Sequence, residues 1–124
     1  MDDLFVYIVD DDASVRKGLV RLMHSAGYRT TAFETGDAFL AAVRADGTGC
    51  VVLDISMPQL ADLQVQERLN QKRIGLPVIA TTARDDEDIR DRARSLGTQF
   101  FLRKPVDDQA LLDAIEWVTG SDRK

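Results

Sequence analysis

The chain has 124 residues, which suits one domain and leaves little room for a second. At 44% hydrophobic and 30% charged it has the composition of an ordinary globule, able to bury a core without metal or disulfide staples. Sixteen basic against twenty-one acidic residues give a net charge of −5, which argues against the basic face a nucleic-acid backbone needs; no nucleic acid is expected to bind this domain itself. No membrane association is expected either. The longest apolar run, residues 4–9, is far too short to span a bilayer, and no secretory pattern opens the chain, so the expected location is cytoplasmic.

In chain order, an apolar strand over residues 5–9 comes first. Val15, Leu19, Leu22, Met23 and Ala26 then mark one face of a helix closed by Gly27. Residues 29–33 are β-branched and partly alternating, a weaker strand. Phe39 and Val43 mark a second helix, ended near Gly47. Residues 50–53 form the next strand; its Cys50, the single cysteine, is expected to be a small buried residue and not a reactive thiol. Val65 and Leu69 suggest a third helix, stopped before Gly75 and Pro77. After a strand over 78–82, Ile89, Ala93 and Leu96 mark a fourth helix closed by Gly97. A strand over 100–102 precedes a fifth helix, marked by Leu111, Leu112, Ile115 and Val118, with Asp107 or Asp108 as its N-cap. Five strands alternating with five helices predict a doubly wound parallel sheet covered on both faces. The domain is expected to span 1–120, with a polar tail at 121–124.

Two of these strands end on acids, in "VYIVDDDAS" and "CVVLDISMP". Ligands of such sheets bind at the carboxyl edge, where the strand order reverses. In the order 2-1-3-4-5 that point lies between the first and third strands, so Asp10, Asp11 and Asp54 converge on one crevice. Packed carboxylates repel and push one another's pKa up, so they share protons or hold a cation. Magnesium suits them, taking oxygen ligands and keeping places for water and phosphate. Capping of the first helix accounts for Asp12, but not for Asp10 with Asp11, nor for Asp54. Thr81 or Thr82 closes the fourth strand. Lys104 follows the fifth, where beside carboxylates it becomes a counter-ion and phosphate ligand. A cis Lys104–Pro105 bond would turn the lysine into the crevice.

This constellation resembles the receiver domain of two-component response regulators over residues 5–118. The segments "LPVIATTA" and "KPVDDQALLDAI" are most similar to receivers of regulators with helix-turn-helix output domains. The resemblance implies that Asp54 accepts a phosphoryl group from a sensor histidine kinase or phosphotransfer protein. It implies Mg²⁺ held by Asp11, Asp54 and the Ser56 backbone carbonyl with help from Asp10, and phosphoryl oxygens bound by Thr82 and Lys104. It also implies that Phe101 turns inward on activation, that a homodimer forms on phosphorylation, and that the protein is a switch with at most slow autophosphatase activity. Phosphorylation adds roughly −1.5 to −2 charges. Driving a switch from 1:99 to 99:1 takes about 5.5 kcal/mol, whereas one charge-assisted hydrogen bond supplies roughly 1.5–3, so Thr82 and Lys104 are needed together.

The chain departs from the family at Asp62, where "MPQLADL" lacks the usual glycine. Either Asp62 takes a left-handed backbone, or the third helix starts there; residues 61–63 read as a helix start. Ser56 and Arg84 occupy positions that flank the phosphoryl group in relatives. His24 is expected at the surface of the first helix, and Phe101 has the plainer reading of a core aromatic. Two rivals differ in class. A haloacid-dehalogenase-like phosphohydrolase would use Asp10 as nucleophile, with Asp12 and Ser14 completing a D-x-D-x-T-like run, but would leave Asp54 without a task. A flavin-binding module would need a hydroxyl-rich phosphate loop where this chain has three aspartates.

Overall fold

Because β1 (Phe5–Val9) and β3 (Gly49–Asp54) are covered on both faces, their sequences run apolar without alternation. The computed structural model describes residues 4–43, 49–55, 61–83 and 87–120, and of 61–63 the backbone alone. Around those two strands the chain places α1 (Ala13–Ser25), β2 (Arg29–Phe33), α2 (Gly36–Ala42), α3 (Ala61–Gln71), β4 (Val78–Thr82), α4 (Glu87–Ser95), β5 (Phe100–Arg103) and α5 (Asp108–Thr119). The strands pair in parallel in the order β2-β1-β3-β4-β5, as the alternation of strands and helices predicts.

Side chains alternate between the two faces of the sheet. Tyr7, Val9, Val51, Leu53 and Ala80 pack with Phe39 of α2, Val65 and Leu69 of α3 and Ala93 of α4. Val6, Ile8, Cys50, Val52 and Ile79 pack with Met23 of α1 and Leu111 and Ile115 of α5. Cys50 is fully buried, and burial pushes its thiol up to about 12, which makes it the inert core residue expected. No helix among the described residues is long and apolar enough to cross a membrane.

Helix boundaries follow their caps. Asp12 caps α1, Thr35 caps α2, and Asp107, not Asp108, caps α5. Helix α2 stops at Ala42, before the Gly47 signal. Val43 has turned to extended backbone there, packing its side chain on the core while its N–H still reaches Phe39 at 2.9 Å. The backbone of Asp62 lies in the first turn of α3, so the helix start read from residues 61–63 is the one observed. The α3 side chains of Gln66 and Asn70 both donate to the Leu96 carbonyl, at 3.0 and 2.9 Å, and Thr98 donates to Gln66. Those bonds tie α3 to the turn entering β5.

Gly49 opens β3 at φ +133°, and a Cβ there would lie 1.8 Å from the Phe5 carbonyl oxygen. Phe5 and Gly49 are partners in the β1–β3 register, so neither strand can retreat without opening the centre of the sheet. Gly49→Ala is therefore expected to cost at least about 1–3 kcal/mol of stability. A urea midpoint equal to that of wild type would contradict this.

Candidate functional site

Register builds the site. Val9 pairs with Leu53, so the next residues, Asp10 and Asp54, finish β1 and β3 at one level. Hydrogen bonding continues past the strands: Asp10 N–H donates to Phe33 O at 3.0 Å and Ile55 N–H to Thr81 O at 2.8 Å. Both carboxylates are buried, at 1% and 2% exposure. On the far side Lys104 N–H donates to Thr82 O at 2.8 Å, which anchors the lysine just beyond β5. Its Nζ reaches Asp10 Oδ2 at 2.9 Å and Asp54 Oδ2 at 3.2 Å. The Lys104–Pro105 bond is cis.

One ammonium thus bridges two buried carboxylates, and the exposed Asp11 adds a third. Burial raises the Asp10 pKa above the usual carboxylate range, and the Asp54 charge adds to it. The Lys104 hydrogen bond and the Asp12 N–H oppose the rise without cancelling it. For Lys104, burial works against the ammonium. The hydrogen bond to Asp10 and the charges of Asp54 and Asp10 outweigh that and hold its pKa above the ordinary value. Asp10, Asp11 and Asp54 offer oxygens all within 4.8 Å of one another, a donor set of hard ligands that fits Mg²⁺.

Asp12 is turned elsewhere. Its Oδ1 accepts from Ser14 N–H at 2.9 Å, Ser14 Oγ at 2.8 Å and Val15 N–H at 3.2 Å. The Ser14 hydroxyl, with the Val15 and Ser14 N–H groups, lowers its pKa. As the helix cap it is not free to serve as the second acid of a D-x-D pair, and the hydrolase reading finds no support in this geometry.

A cavity of about 540 Å³ opens beside the bridge, lined by Asp10, Thr81, Lys104 and Pro105 and by Val15 and Leu19 of α1. Strand ends alone allow Thr81 or Thr82, and the family resemblance names Thr82. Thr81 is the one in register with Asp54 and on the cavity wall, while Thr82 is buried at the end of β4 opposite Arg103. Phe101 is half-buried against the α4 side of the sheet. Arg90 and Arg94 of α4 each hold a guanidinium 5.4 Å from its ring centroid, a pairing absent from the sequence reading. His24 is exposed on α1, as expected. Ser56 and Arg84 lie outside the described residues. Sequence reasoning also missed Arg16, whose Nη1 donates to the Asp10 carbonyl at 2.7 Å.

Residues 6–116 match the family model of the response regulator receiver domain. Nodulation protein W of Bradyrhizobium diazoefficiens is 39% identical over 119 residues, which cover 96% of this chain and 52% of that protein. The transcriptional regulatory protein FixJ of the same organism is 36% identical over 111 residues, covering 90% and 54%. The solved structure of the response regulator StyR superposes with a TM-score of 0.88 at 41% identity, covering 95% of this chain and 60% of that one. The chain spans about half the length of the curated relatives it matches. With the match running from the first strand into the last helix, the chain belongs to the response regulator receiver domain family, the phosphorylation-dependent switches of two-component signalling.

Proposed function

We propose that Asp54 is the phospho-acceptor, and the observation that carries this is the Lys104 ammonium held between Asp54 and Asp10 beside a third carboxylate. An Asp54 carboxylate oxygen attacks phosphorus as the bond to the donor's imidazole nitrogen breaks, and the phosphoryl group passes to the aspartate. Such a transfer asks for in-line positioning and charge neutralisation more than for a proton donor. Mg²⁺, held by Asp11 and Asp54 with Asp10 assisting and the Ser56 carbonyl completing the set, would supply positive charge to the transferring oxygens. Lys104 exchanges part of its hold on Asp10 for a phosphoryl oxygen, and the Thr82 hydroxyl takes another. Phe101 responds by turning inward, changing the α4–β5 surface.

The donor is a sensor histidine kinase or a phosphotransfer protein in the cytoplasm. The phosphorylated domain, residues 1–120, forms a homodimer and passes its state to an attached transcriptional output domain. Any return to the resting state by its own chemistry is slow autophosphatase activity.

The test is intact mass after incubation with acetyl phosphate and Mg²⁺. Wild type is expected to take up one phosphoryl group and Asp54→Asn none. Equal labelling of Asp54→Asn, with the label on Asp10, would sink the assignment.

A further inference from the structure

Arg16 takes no part in the transfer just described, yet it is half-buried on α1 and reaches back to the acidic turn. Its Nη1 donates to the Asp10 carbonyl oxygen at 2.7 Å. That carbonyl belongs to the peptide unit before Asp11. The peptide unit after Asp11 is held too, because Asp12 N–H donates to Asp10 Oδ1 at 2.9 Å. Both planes flanking the Asp11 Cα are therefore fixed, and with them the two soft dihedrals that aim its side chain. Beyond the turn, Asp12 is secured by its own capping bonds to Ser14 and Val15. Asp11 itself is exposed and close to Asp10 and Asp54.

We propose that Arg16 is a positioning residue: it locks the peptide plane ahead of Asp11 and so preorganises the acidic turn for a divalent cation. This rests on the reading of Asp10, Asp11 and Asp54 as the cation's ligands. Without Arg16, rotation of the Asp10–Asp11 peptide swings the Asp11 carboxylate away from the other two, and the cation must itself order the turn. Partners that orient metal ligands typically cost 10–100-fold in affinity when removed. A guanidinium suits the task, because it stays charged and its planar fork gives a directed donor that a lysine matches only in part.

The experiment is Mg²⁺ titration followed by amide chemical shifts, with hydrogen exchange of the Asp12 amide, on wild type, Arg16→Lys and Arg16→Gln. Urea melts establish that each variant is folded at the titration temperature. Arg16→Gln is expected to raise the Mg²⁺ Kd about tenfold and to speed exchange of the Asp12 amide. Arg16→Lys is expected to recover part of both. An unchanged Kd in folded Arg16→Gln overturns the proposal, as does a weakened Kd with Asp12 protection intact, which would mean that only charge had been lost. If wild type binds no Mg²⁺, the ligand assignment fails instead, and Asp12 exchange in Arg16→Lys still decides whether Arg16 holds the turn.

Discussion

Asp11→Asn is expected to weaken Mg²⁺ binding by at least about ten- to a hundredfold, a loss comparable to that on removing even an outer partner of a metal ligand. Asp12→Asn is expected to leave it nearly unchanged. The two residues are neighbours with the same side chain, so the contrast comes from geometry alone. The Asp11 carboxylate is exposed beside Asp10 and Asp54 with its oxygens in range of a shared cation. That of Asp12 is turned to the first turn of α1, accepting from Ser14 and Val15. Asparagine caps a helix about as well as aspartate, so the second substitution keeps the cap. The first removes a hard anionic ligand from a cation that binds through few protein oxygens. Calorimetric titration gives both constants, and the reverse order would mean that the ligand lies at Asp12.

Lys104→Ala should have the largest effect on stability, felt in the metal-free protein at neutral pH. Its ammonium touches two buried carboxylates, and removing one member of a buried ion pair typically costs about 3–5 kcal/mol. Protonation limits the damage. Asp10 already titrates above the ordinary carboxylate range, and without the Lys104 hydrogen bond it rises further. The folded variant then holds a proton that the unfolded chain has released, so its stability falls as pH rises toward the raised folded pKa and stays low above it. At mildly acidic pH, below that value, much of the loss is regained. Added Mg²⁺ is expected to stabilise the variant by binding the folded form in preference to the unfolded chain. Urea midpoints with and without chelator at the two pH values test this; a loss independent of pH would show that truncated packing, and not unpaired charge, is the cause. After phosphorylation, the amide shifts around Phe101 are expected to stay near their resting positions, since the lysine no longer links the phosphoryl group to β5.

The sheet was legible because parallel strands covered on both faces leave unbroken apolar runs, and β1, β3 and β4 have them. Strand β2 read weakly because it is an edge strand with Arg29 and Thr31 exposed and none of its residues fully buried. The convergence of Asp10 and Asp54 followed from strand ends and the order reversal, which need no side-chain detail. Strand ends could not choose between Thr81 and Thr82, since one step along a strand exchanges the faces; the resemblance names Thr82, while the register sets Thr81 across from Asp54. Arg16 could not be read at all: a side chain bonded to a backbone carbonyl six residues away leaves no periodicity behind. Nor could the arginines over Phe101, whose stacking depends on rotamers at the α4–β5 seam.

Lys104 and Asp10 are 94 positions apart in the chain, and that separation gives the order of synthesis a meaning. Strands β1 and β3 can pair once the first half of the domain has emerged, bringing two carboxylates together with no lysine yet available. A nascent sheet lacking β5 thus holds an electrostatic defect at its switch point, and closing that long loop costs entropy before any contact repays it. Arrival of Lys104 just beyond the last strand removes the defect, and α5 then covers one hydrophobic face with Leu111 and Ile115. The charge balance of the buried carboxylates is therefore restored only late in synthesis, when the lysine that follows the last strand is in place.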